Sequence, residues 1–298
     1  MSLVEELKQV LFRPRRKLHQ FIAINVFVFF VVKLIYAFEP YFPHGDRTVY
    51  ELIIKNLTLP ASLNALLYRP WSIFTYMFLH ESFLHLLFNI LGLYWFGQIT
   101  EEYLGGKKFA TIYLLGGITG GILYIGVFNL VPMFAPSIAN GYALGASAGV
   151  IAVIIAAATL LPDYQLMLLF LGLVKLKYIA VFYVLLDLIN ISSPNAGGHI
   201  AHLGGAIFGF FYIKQLRKGH DLSSPFSTLA KKIANLFKRK PKLKVAYKNP
   251  ANDRKNVKKQ VDKQEIIDRI LDKISKYGYE GLSKEEKDIL FRASQEKE

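Results

Sequence analysis

The sequence predicts an all-α membrane protein: a bundle of six transmembrane helices with a small helical extension at its C-terminus. Three observations predict it. Apolar runs recur from Phe21 to Ile213, several of them near the roughly 20 residues a spanning helix needs. Charge is segregated: of a net +14, the first 20 residues carry five Lys/Arg against two Asp/Glu, and the stretch from Lys214 to the end carries 23 against 12. The intervening stretch is neutral. Finally, 53% of residues are hydrophobic in spite of that polar tail, above the roughly 45–50% of a soluble domain.

The chain has no cysteine. This excludes a disulfide framework, a thiol nucleophile and a Cys-based metal site. The basic ends beside apolar helices point to cytoplasmic segments near anionic lipid rather than to nucleic acid.

Taken in order, Arg13, Arg15, Arg16 and Lys17 precede the first apolar run. That resembles the start of a signal peptide, but no small-residue cleavage site follows; the run reads as the first span, Leu18 to Phe38. Lys33 near its far end has the length to snorkel outward. Residues 39–79 make a long aromatic-rich connection, too long for a simple loop, that is expected to carry short interfacial helices. The second span runs from Phe83 to Ile99. A polar turn from Glu101 to Lys108 leads to the third, Phe109 to Val131, with Gly116, Gly117, Gly120 and Gly121 as packing sites. An uncharged loop, Pro132 to Gly141, leads to the fourth, Leu144 to Leu161. The fifth is expected from about Tyr178 to Asn190, with Lys175 and Lys177 at the cytoplasmic edge. The sixth is Gly198 to Ile213.

Six spans put both termini on one side, and both are basic, so both are expected in the cytoplasm. The second, fourth and sixth helices then start at the outer face. Those starts hold the polar residues that a bilayer tolerates only for a reason. His85 and Asn89 share one face of the second helix. Ser147 opens the fourth between Gly145 and Gly149. His199 and His202 open the sixth, above Gly205 and Gly209. At 1.5 Å per residue, Ser147, His85 and His202 lie within roughly 10 Å of one surface.

A serine hydroxyl needs a base to become a nucleophile, and neutral histidine is the usual base near pH 7. Small residues allow the fourth and sixth helices to approach closely enough for a Ser147–His202 pair. His85, Asn89 and the Ser147 amide are donors suited to an oxyanion. The carboxylates nearest in sequence, Glu81 and Asp187, are not expected to reach His202, so the expectation is a dyad. Taken singly, each feature has a plainer reading as packing or interfacial polarity. Gly145-x-Ser147-x-Gly149 also resembles a nucleophile elbow, but an apolar helix follows where that motif needs a strand-to-helix turn.

Together these residues resemble the rhomboid intramembrane serine proteases. His80-x4-His85-x3-Asn89, Gly145-Ala146-Ser147 and Ala201-His202-x2-Gly205-x3-Gly209 are similar to that family's second-, fourth- and sixth-helix motifs, in order. Trp71, Phe74 and Thr75 resemble its long first loop and Glu101-x3-Gly105 its second-helix ending. The resemblance spans about Gln20 to Gln215. It implies Ser147 as nucleophile, His202 as general base, an oxyanion hole of His85, Asn89 and the Ser147 amide, and structural roles for His80, Gly145, Gly205 and Gly209. His199 is read as secondary. Neither cofactor nor metal is implied. Clients would be single-pass membrane proteins cut near the extracytoplasmic face of a bacterial inner membrane. There are departures: Ala148 stands where glycine is common, Ile151 where several relatives carry an aromatic that stacks on the histidine, and Arg69-Pro70-Trp71 where some relatives place the arginine after the tryptophan.

Four segments are expected: residues 1–17, a basic cytoplasmic N-terminus; 18–215, the membrane domain; 216–263, a basic flexible linker; and 264–298, a helical hairpin. The hairpin has a stripe at Ile266, Ile267, Ile270, Leu271 and Ile274 and a capping box at Ser283–Glu286; its end resembles a C-terminal element on some bacterial rhomboids. The competing readings are a catalytically silent relative that binds membrane helices, which the Ser147/His202 pair argues against, and a proton-relaying transporter, which would need polar residues across the full depth.

Overall fold

The computed structural model describes residues 17–41, 48–168, 172–225, 228 and 250–295. The chain divides into two compact units, Met1–Phe237 and Lys238–Glu298.

The first unit is a helical membrane bundle. Its long helices are α1 (Lys17–Phe38), α5 (Phe83–Leu104), α6 (Gly106–Leu130), α7 (Ser147–Leu160), α8 (Leu176–Ile189) and α9 (Ala196–Arg217). Between α1 and α5 lie the short α2 (Thr48–Leu57), α3 (Leu63–Tyr68) and α4 (Ser72–Thr75). Among the described residues, α1, α5 and α6 are long and apolar enough to cross a bilayer. Helices α7 and α8 have fourteen residues each, about 21 Å at 1.5 Å per residue, short of the roughly 30 Å apolar thickness.

Helix α7 is the axis of the bundle. Every residue from Ala148 to Ala158 is buried, and it packs against α5, α6, α8 and α9. Its small side chains let neighbours approach to backbone distance, the usual way helices associate where lipid removes the hydrophobic drive. A Cβ on Gly205 of α9 would lie 2.0 Å from the Ala148 carbonyl oxygen, and one on Gly209 2.2 Å from that of Ala152. At the opposite end Arg217 donates to the Thr159 carbonyl at 2.8 Å and to that of Leu160 at 3.3 Å, placing a cation at the negative end of α7.

The long connection is tied down by polar contacts. Trp71 Nε1 donates to Asn56 O at 2.9 Å, Thr75 Oγ1 to Leu57 O at 2.8 Å, and Tyr76 OH to Gly117 O of α6 at 2.6 Å. Lys33 Nζ donates to Glu81 O at 2.7 Å, linking the far end of α1 to the segment before α5. Glu101 is not in a turn, as expected, but inside α5, which continues to Leu104 before breaking at Gly105. Its carboxylate accepts the backbone N–H of Lys17 at 2.6 Å and of Leu18 at 3.3 Å. A buried carboxyl group thus satisfies the open amides at the start of α1.

Two small ribbons depart from the all-helical expectation. β1 (Leu59–Pro60) pairs with β2 (Tyr142–Ala143), and β3 (Gln165–Leu168) with β4 (Gly172–Lys175), both antiparallel. The apolar run from Gln165 therefore holds a hairpin before α8, and Lys175 and Lys177 pair with Asp163 at 3.0 and 2.8 Å. Short apolar runs do not separate strand from helix by periodicity.

The second unit contains α10 (Pro250–Tyr277) and α11 (Lys284–Gln295). Helix α10 begins at Pro250, inside the stretch expected to be linker up to 263; Pro at a helix start costs no hydrogen bond. Residues 229–249 of that linker and 1–16 of the basic N-terminus lie outside the described residues. The capping box forms: Glu286 N donates to Ser283 Oγ at 3.2 Å and Ser283 N to Glu286 Oε2 at 2.8 Å. Of the apolar stripe, Ile270 is buried.

Candidate active site

Ser147 is the first residue of α7, so its backbone N–H has no intrahelical acceptor. Ala146 before it supplies no side-chain cap, which leaves the positive end of the helix available to an oxyanion. The approach to Ser147 depends on Gly145. Its N–H donates to Tyr76 O at 2.9 Å, and its φ of +130° lies where side chains are strained. A Cβ there would also sit 2.9 Å from His85 Nε2 and 3.4 Å from Ser147 Oγ. The missing side chain is what lets the His85 ring and the serine hydroxyl face the same space.

That space is a cavity of about 780 Å³ lined by Glu81, His85, Ser147 and His202, together with residues 140–144, Pro194, Asn195 and Gly198. The structure thus brings together Ser147, His202 and His85 from α7, α9 and α5. Asn89 is buried and not among the residues lining the cavity. Its Nδ2 donates to the His85 carbonyl at 2.8 Å, one turn below. His80 is buried beside His85, with ring centroids 5.1 Å apart. Burial, and then the neighbouring His85, push its pKa down to about 3, so it is neutral at ordinary pH.

Ala148 places its methyl against Gly120 of α6, where a Cβ would be 2.7 Å away. Ile151 is buried within α7. The ring beside His202 is instead that of His199, at 5.8 Å and 81°.

The expectation that no carboxylate reaches His202 is overturned. Asp187 Oδ1 lies 2.8 Å from His202 Nδ1 and 2.8 Å from His199 Nδ1, and its side chain is 3% exposed. Sequence reasoning placed Asp187 near the outer end of the fifth span but could not give the rotation of α8, which turns this one polar residue inward. The available signal was the general one that an acidic residue within a span is functional. His199, read as secondary, shares the same oxygen. Among the described residues, Asp187, His199 and His202 also form a group whose ligand atoms lie within 4.8 Å of one another. A cation there would take the Nδ1 lone pair of His202.

A helical membrane bundle with a serine, two histidines and an unblocked helix start around one cavity defines the class of protein. Residues 68–219, more than half of the chain, match the Rhomboid domain, and the chain belongs to that family. Residues 251–296 match a family of unknown function (DUF6576). Similar proteins include the mitochondrial presenilin-associated rhomboid-like protein of Bos taurus, 29% identical over 209 residues, which cover 67% of this chain and 48% of that protein. The mitochondrial rhomboid-like protein 14 of Arabidopsis thaliana is 29% identical over 203 residues, 66% and 56% of the two chains. Rhomboid protease GluP of Bacillus subtilis (strain 168) is 28% identical over 196 residues, 64% and 33%. The matched regions span about half or less of most of these curated relatives.

Proposed function

We propose that this chain is an intramembrane serine endopeptidase that cleaves transmembrane segments of client membrane proteins. Ser147 Oγ attacks the scissile carbonyl while His202 Nε2 takes its proton. The tetrahedral oxyanion is held by the Ser147 amide and the His85 ring, with Asn89 holding the turn below and offering its second N–H. His202 then gives the proton to the leaving amine, and water hydrolyses the acyl-enzyme by the same route. The observation that carries this reading is the single cavity lined by Ser147, His85 and His202 from three different helices. The protease among the similar proteins, GluP, supports the same chemistry.

Charge supports a six-span topology with both termini in the cytoplasm and the site toward the outer face. A C-terminal reporter that reads as extracytoplasmic would refute that orientation. A bacterial inner membrane, and contact of the basic tail with anionic lipid, belong to the same proposal. So does the dispensability of residues beyond Lys218, since every residue assigned to chemistry precedes them.

The deciding experiment is labelling with a fluorophosphonate probe together with cleavage of a single-pass reporter in detergent. Wild type is expected to label and cleave. Ser147→Ala is expected to do neither while keeping its melting temperature. Absence of labelling in a folded wild type would favour a helix-binding protein without catalysis.

A further inference from the structure

Helix α8 is the most exposed of the long helices in the bundle. It buries only Leu176, Ile179 and Asp187, and it presents Val181, Phe182, Leu185 and Leu188 outward. An isolated carboxylate turned inward from such a helix is strongly unfavourable unless it is paired and hydrogen-bonded. Asp187 is paired twice through one oxygen, with the Nδ1 atoms of His199 and His202 both at 2.8 Å. A tether between α8 and α9 would need only one such contact, and either histidine supplies it. The second contact reaches the histidine that lines the cavity with Ser147.

The two ring nitrogens of a neutral histidine are not equivalent: the one that donates its proton leaves the other with a free lone pair. An ionised carboxylate accepts only, so it holds the His202 proton on Nδ1 and leaves Nε2 bare. That is the tautomer a general base for Ser147 requires. Ile151, one turn along α7 from Ser147, offers no ring to hold the imidazole by stacking. Against His202 stand Asp187 of α8, bonded to its Nδ1, and the ring of His199 on α9, while His85 and Glu81 line the same cavity.

We propose that Asp187 is a positioning residue for His202, with His199 holding the carboxylate in place. The inference rests on the reading of Ser147 and His202 as nucleophile and base. During attack the Ser147 proton passes to His202 Nε2. The imidazolium so formed keeps its Nδ1–H on Asp187 Oδ1, whose negative charge balances it. The proton then leaves from Nε2 to the amine. The same three side chains offer a cation-binding set, but a cation on His202 Nδ1 would leave Nε2 protonated and the base disabled, so the hydrogen-bonded arrangement is the active one.

The test uses the full chain in detergent. Asp187→Asn is nearly isosteric, and its amide can donate to Nδ1 and so favour the wrong tautomer. We expect kcat and the rate of fluorophosphonate labelling to fall by about 10²-fold or more, with KM within about threefold; the equivalent change in a soluble serine protease costs about 10⁴. His199→Gln is expected to lower kcat by up to about tenfold. Wild-type turnover in a folded Asp187→Asn variant would overturn the proposal. Histidine ¹⁵N spectra of the unsubstituted protein give a readout independent of any variant's folding: His202 is expected with its proton on Nδ1, and a proton on Nε2 would overturn the proposal. So would loss of activity on dialysis against EDTA with recovery on adding Zn²⁺, which would make the cluster a metal centre. Failure of the underlying reading looks different: Ser147→Ala would still cleave.

Discussion

Helices α7 and α8 have the same length and are both apolar, yet they live in different surroundings. Helix α7 is buried from Ala148 to Ala158; α8 buries three residues, one of them charged. The difference lies in side-chain size. Helix α7 has Ala148, Gly149, Ala152 and the run Ala156–Ala158 where α8 has Tyr178, Phe182 and Leu185. Apolarity takes a helix into the bilayer, but small residues decide which helix others can surround. Ser147 thus sits at the end of the most enclosed helix. On α8 a single buried charge, Asp187, ties an otherwise largely exposed helix to His202.

The comparison can be broken most sharply at the α7–α9 contact. Gly205→Leu puts a side chain where the Ala148 carbonyl already stands, and backbone cannot yield as a flexible side chain would. We expect a loss of at least about 3 kcal/mol, at the top of the range for overpacking, seen as a lower melting temperature in detergent and loss of probe labelling. A stable Gly205→Leu protein that still labels would mean that α7 and α9 do not meet at this contact in the folded protein.

A smaller effect is expected at His80, which contributes burial rather than chemistry. Its folded pKa of about 3 lies below the ordinary 6.5. The unfolded chain therefore binds a proton that the folded chain refuses, and stability falls as pH drops from about 6.5 toward 3. Between pH 6.5 and 4.5 this amounts to on the order of 2 kcal/mol. Unfolding of His80→Phe measured at those two pH values should show a flatter acid dependence than wild type. An unchanged slope would place the acid-sensitive group elsewhere.

The smallest effect is expected on the outer face of α8. Val181→Ala, at a residue 55% exposed, should change stability by no more than about 0.5 kcal/mol, with cleavage unaltered. A large loss there would show that α8 is packed against something on its outer side.

Much of this protein was legible from residue order. The apolar runs locate the long helices within a few residues, because membrane insertion depends on local composition. The capping box at Ser283 follows from short-range geometry. Ser147, His85 and His202 could be brought to one depth because all three stand at helix starts. The β3–β4 hairpin was missed, since its apolar residues carry no distinctive period, and so was the placement of Glu101 inside α5.

By itself, the sequence determined a helical membrane protein of the rhomboid family and the set of side chains from which a serine nucleophile could be built. Composition and spacing are properties of single helices, and they suffice for that. Only the tertiary structure decided that Gly145 opens a shared space for His85 and Ser147, that Asn89 bonds to its own helix, and that Asp187 reaches His202 and His199. Those facts depend on how each helix is rotated about its axis. That rotation is set by contacts among several helices at once.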